Sequence, residues 1–95
     1  MTPQELRDRT KQFGLDIVNF CETLPRNARI QEIATQLVDA GTGIGSNYRA
    51  VCRPRSDSDF INKMSIALEC ADESLYWLEL LIESRGGRHS ARQEA

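Results

Sequence analysis

Apolar residues return along this chain at steps of three, four and seven, the spacing of helices that bury one face. Leu6, Phe13, Ile17, Phe20, Cys21 and Leu24 form the first stripe. It opens on Thr2-Pro3-Gln4-Glu5: Thr2 can cap, Pro3 suits the first helical position, and Glu5 can reach back to the Thr2 amide in a capping box. The pattern predicts a helix over about 3–23, closed by Pro25 and a short Arg26-Asn27 connection.

A second stripe runs through Ile30, Ile33, Leu37, Ile44, Tyr48, Val51 and Cys52, interrupted by Gly41-Thr42-Gly43-Ile44-Gly45. Each glycine inside a helix costs about 1 kcal/mol against alanine. Either the helix breaks there or a neighbour packs too closely for a Cβ. The helical period on both sides favours one helix over about 28–52, with close packing at Gly41 and Gly45 and with Asn47 and Tyr48 beside that contact. Arg53-Pro54-Arg55 ends it, because a residue before proline is pushed out of helical geometry. Ser56-Asp57-Ser58-Asp59 then caps a third helix over about 57–84. Its buried face is expected to comprise Phe60, Ile61, Met64, Ala67, Leu68, Ala71, Leu75, Leu78 and Ile82, widened by Trp77, Leu80 and Leu81. Gly86-Gly87 is expected to stop it, leaving 85–95 as a polar, disordered tail.

The fold class predicted is therefore all-α, an antiparallel up-and-down bundle of three long helices in one domain over 1–84. The widened face of the third helix exceeds what two partners cover. That predicts a groove filled by another chain, and self-association through Trp77, Leu80 and Leu81.

Composition narrows the class without naming a function. With 40% apolar and 27% charged residues in 95, the chain is neither collagen-like nor wholly disordered. No apolar run approaches the roughly 18 residues of a membrane span, and no secretory leader opens the chain, so a soluble, cytoplasmic protein is expected. Cys21, Cys52 and Cys70 form no C-x-x-C pair, and the only histidine, His89, lies in the polar tail. Reduced cysteines acting as small hydrophobes are expected, with no metal and no cofactor.

Charge is segregated. Residues 26–55 carry +3, residues 56–84 carry −6, and the whole chain −2. A basic surface can thus exist on an acidic molecule. Arg49, Arg53 and Arg55, with Arg26, Arg29 or Lys63 joining them in space, are the candidate nucleic-acid contacts. Arg49 and Arg53 share a helix face, and guanidinium forks suit phosphate oxygens. The competing expectation is that these arginines pair with Asp57, Asp59 or carboxylates of a neighbouring subunit. No aromatic is interleaved with them, so contact with the phosphate backbone is expected rather than base stacking. Gly41 to Gly45 lacks the strand, helix start and Lys-Ser/Thr of a phosphate loop. The carboxylates around Glu69 to Glu83 have no histidine partner for a bundle metal site and read as a solvated acidic face. No nucleophile–base pair stands out, so no catalytic residue and no enzyme are expected.

Several segments in order resemble a known family: Arg9-Thr10-Lys11-x-Phe13, Leu24-Pro25, Gln36-Leu37, Thr42-Gly43-Ile44-Gly45-Ser46-Asn47-Tyr48-Arg49, Asp59-Phe60-Ile61-x-Lys63 and Glu73-Ser74-x-Tyr76-Trp77-Leu78-Glu79-Leu80-Leu81. Together they look like the bacterial four-helix-bundle protein family, also called the intervening-sequence ribosomal protein family. Some of its members are encoded within inserts in large-subunit ribosomal RNA genes. The accessory protein of diversity-generating retroelements is similar. The resemblance implies a four-helix bundle assembled as a homopentamer, with no enzymatic activity. It also implies RNA or DNA, and a reverse transcriptase or other protein, as candidate partners of a basic surface. It departs from this sequence after the Trp77 helix, where Gly86-Gly87-Arg88-His89 leads into a polar tail and the family's fourth helix is expected to be absent or truncated.

Overall fold

The computed structural model describes residues 1–53 and 55–94, with side chains over 1–53 and 55–84. Three helices account for it: α1 (Pro3–Glu22), α2 (Ala28–Val51) and α3 (Asp57–Glu94). Each start has a sequence cause. The Thr2 hydroxyl accepts from the Glu5 amide at 3.1 Å while the Glu5 carboxylate accepts from the Thr2 amide at 3.1 Å, the reciprocal capping box. The Asn27 side chain accepts from the amides of Arg29 and Ile30 and opens α2. The Ser56 hydroxyl accepts from the Asp59 amide at 3.1 Å and opens α3.

The first two helices end within a residue of their predicted limits. The third differs: its backbone continues through Gly86 and Gly87 to Glu94. Glycine stops a helix only by taking left-handed geometry, and no described glycine has positive φ. The side chains of the polar segment expected over 85–95 lie outside the described residues, as does Pro54.

α2 is the middle helix, and α1 and α3 flank it antiparallel. Among the described residues, the α1 and α3 backbones do not come within 8 Å of each other. Ile17, Leu24, Ala34, Leu37 and Leu81 form the buried core, with Phe13, Phe20, Cys21, Ile30, Ile33, Val38, Trp77 and Leu78 packed around it.

The alternating glycines reflect the two-sided role of α2. A Cβ on Gly41 would sit 3.0–3.3 Å from three atoms of Ile17 in α1. One on Gly45 would meet the Thr10 backbone at 3.4 Å. Gly43 faces the other neighbour, where a Cβ would lie 2.8 Å from the Cys70 sulfur of α3. Residues four apart share a face and residues two apart do not, so a Gly-x-Gly-x-Gly run lets α2 approach both flanking helices.

α3 carries two seven-residue lines. Ala67, Ser74 and Leu81 are buried against the rest of the chain. The Ser74 hydroxyl is satisfied by donating to the Cys70 carbonyl at 2.7 Å. One residue on, about 100° around the helix, Ile61, Leu68, Leu75 and Ile82 are exposed. This corrects the expected faces. Leu81 is fully covered by its own chain and has no surface to offer another copy, whereas Ile61, Leu68, Leu75 and Ile82, expected in the core, face outward. Leu80 and Trp77 are half-buried, and Trp77 borders a cleft with Glu32, Ile33 and Gln36 of α2. The physical reason is coverage: one neighbouring helix shields about a third of the circumference, and α2 takes the Ala67–Ser74–Leu81 line.

Candidate nucleic-acid interface

Because α1 and α2 run antiparallel, the start of α1 lies beside the end of α2. Arg7 from α1 and Arg49 and Arg53 from α2 line one open cleft with Gln4 and Asp8. Gln4 orders its α1 side, accepting from the Arg7 guanidinium and donating to the Asp8 carboxylate at 2.9 Å. Three guanidinium groups thus face one carboxylate, itself engaged by an amide. Tyr48 borders the same region. Its phenol is pushed above its ordinary pKa by burial and by its hydrogen bond with Cys52, while the Arg7 guanidinium pulls it the other way.

The remaining expected cations are distributed. Arg55 lies in the α2–α3 connection, its amide donating to the Asp59 carboxylate at 3.4 Å. Lys63 is half-buried in the second turn of α3, at the same end of the bundle. Arg26 and Arg29 sit at the opposite end, beside the α1–α2 turn. Between Arg29 and Arg49, α2 advances about 30 Å at 1.5 Å per residue. The six cations therefore do not form one patch: two are separated from the others by most of the length of α2.

Arg7 is the member that the sequence pattern missed, since a lone arginine in a first helix reads as solvated surface. The signal that finds it is register. Gly41 seats on Ile17 and Gly14 on Thr42, so two turns along each antiparallel helix brings Arg49 level with Arg7.

The polar residues next to the glycines are satisfied within α2. The Asn47 amide donates to the Gly43 carbonyl at 2.8 Å, and the Ser46 hydroxyl donates to the same oxygen at 3.3 Å. All three cysteines are free thiols and half-buried. Among the described residues, no group of three or more His, Cys, Asp or Glu is placed to hold a metal ion, and no helix is long and apolar enough to cross a membrane.

Burial raises the Cys21 thiol pKa; burial, then the charges of Glu73 and Glu69, raise that of Cys70. Tyr48 moves in the same direction. Folded-state pKa values above the unfolded ones mean that the native fold holds these protons more tightly. Their contribution to stability is complete below the unfolded values and is lost as pH rises through the folded ones. Urea midpoints should therefore fall above about pH 9, and replacing Cys21 and Cys70 by alanine should reduce the slope. An unchanged slope in that double variant would contradict the assignment.

The chain matches the family model described as 23S rRNA-intervening sequence protein over residues 4–92. It is similar to the crystal structure of a protein of unknown function from the S23 ribosomal protein family of Bacteroides thetaiotaomicron VPI-5482, with a TM-score of 0.79 and 38% sequence identity, over 88% of this chain and 75% of that one. No curated protein matches it.

Proposed function

The chain belongs to the 23S rRNA-intervening sequence protein family, and from that premise we propose that it is a non-enzymatic protein that binds RNA or DNA through the Arg7–Arg49–Arg53 cleft. The observation that carries this reading is the convergence of three arginines from two helices on one open concavity with a single carboxylate. Guanidinium groups bind phosphate oxygens bidentately and stay charged at all physiological pH values. The cleft is too polar to stack bases, so recognition falls on the backbone and its shape. Self-association would repeat the cleft and multiply its field.

The reading fixes the salt dependence. Three phosphate contacts give a slope of about −2.7 in log affinity against log salt, or roughly 40-fold weaker binding for a fourfold rise in salt. Fluorescence anisotropy with a duplex RNA and a duplex DNA at two salt concentrations measures it. Arg7→Ala with Arg49→Ala should flatten the slope by about two contacts, whereas Arg26→Ala with Arg29→Ala should leave it intact. Absence of binding at low salt would sink the proposal. A second reading, a scaffold that binds protein and no nucleic acid, is favoured by the exposed apolar line on α3 and would be the one left standing.

A further inference from the structure

Arg49 lines two depressions at once. One is the cleft it shares with Arg7 and Arg53; the other is a cavity of about 290 Å³ farther along the α1–α2 seam. That volume is at the lower end of small-molecule sites. Gly14 and Gly45 leave its floor bare of side chains, Leu15 and Val18 of α1 give it an aliphatic wall, and Lys11 and Arg49 stand at its rim. Leu15 is 48% exposed and Val18 37%, so both present apolar surface to whatever enters. Among the described residues that line the cavity there is no carboxylate.

The polar atoms narrow the choice of ligand. The Thr10 hydroxyl donates to the Leu6 carbonyl at 2.9 Å, that of Thr42 to Val38 at 2.7 Å, and that of Ser46 to Gly43 at 3.3 Å. A hydroxyl has one proton to give, so these three turn only oxygen lone pairs to a ligand. The cavity thus combines an apolar wall, hydrogen-bond acceptors and two cations at the mouth. An aliphatic side chain of a protein partner would use the first and leave the cations idle. A nucleotide uses all three, through its base face, an exocyclic amine such as that of adenine, and its phosphate.

We propose that the cavity receives one unstacked base of a strand whose phosphates lie in the Arg7–Arg49–Arg53 cleft. The inference rests on the reading of that cleft as a nucleic-acid site. Arg49 is the link, because a phosphate held there carries its own base to the cavity mouth. A base inside an intact duplex is costly to extract, and least so where it is already unpaired. The preferred ligand is therefore a helix interrupted by a bulge, with its backbone in the cleft and one base in the cavity.

Fluorescence anisotropy at low salt compares three RNA duplexes of one sequence: uninterrupted, with a single bulged adenosine, and with an abasic residue in the bulge. The bulged adenosine should bind about fivefold tighter than either of the others, the low end of the gain per base on aromatic surfaces, because these walls are aliphatic. The abasic duplex keeps the added flexibility of the bulge, and so separates base capture from easier bending. Leu15→Ser with Val18→Ser, both at exposed positions, should erase the preference. Affinity for the uninterrupted duplex and far-ultraviolet helicity should stay unchanged in that variant. Equal affinity for the adenosine and abasic bulges, or a preference that survives the double substitution, would overturn the role of the cavity and leave the cleft reading intact. Failure of all three duplexes to bind would overturn both.

Discussion

Leu81→Ala should cost about 2–5 kcal/mol, the largest effect of any single truncation on α3. Leu81 is fully buried and joins α3 to a core that α1 and α2 supply through Ile17, Leu24, Ala34 and Leu37. Removing its isobutyl group loses the transfer free energy of the missing carbons. It also leaves a cavity walled by helices that cannot collapse independently. A domain of this size holds only about 5–15 kcal/mol in total, and each kcal/mol is worth about 4–8 °C at the melting midpoint. The midpoint should therefore fall by more than about 10 °C. Ile82→Ala, the next residue, removes an exposed side chain, and in dilute solution should change stability by no more than about 0.5 kcal/mol. Thermal melts of the two variants at one low protein concentration make the comparison. Equal losses would mean that the buried and exposed lines of α3 are assigned wrongly.

Gly41→Val should destabilise the chain by about 2–3 kcal/mol through overpacking. Even the first added carbon meets Cγ1, Cγ2 and Cβ of Ile17 at 3.0–3.3 Å. Ile17 is buried and β-branched, with little rotamer freedom to yield. The two helices must then separate or tilt. Gly45→Ala is the control. Its Cβ would meet the Thr10 backbone at 3.4 Å, an ordinary contact, so the improved helix propensity should stabilise by up to about 1 kcal/mol. Opposite shifts in the urea midpoints of the two variants identify Gly41 as the tighter of the two positions. A stabilising Gly41→Val would show that α1 and α2 are not held at this distance.

Period and caps were enough to place α1 and α2 to within a residue, because Thr2-Pro3-Gln4-Glu5 and Asn27 specify starts by particular hydrogen bonds. The faces of α3 were harder. Its lines 67-74-81 and 61-68-75-82 are both largely apolar and differ by a single step. Periodicity reveals that a row exists, but only the position of α2 decides which row is covered. Leu81 was accordingly expected at an interface with another copy, and Leu68 and Leu75 in the chain's own core. The arginines failed to form one patch for a related reason. Residues 26 and 29 are close to 49 and 53 in composition but a helix length away in space. What brought Arg7 to Arg49 was the register set by Gly41 on Ile17, which is a relation between helices and not a property of either. The continuation of α3 past Gly86 likewise reflects the limit of reading glycine as a stop, since its cost in a helix is about 1 kcal/mol and no prohibition.

The central position of α2 also determines how the chain finds its shape. Among the described residues, every interhelical backbone approach joins elements adjacent along the polypeptide, first with second and second with third. Such contacts close short loops and carry a low contact order. Folding can proceed as two hairpins sharing one rod, in the microsecond-to-millisecond range of helical bundles, with Leu81 of α3 closing onto the core that α1 and α2 have begun.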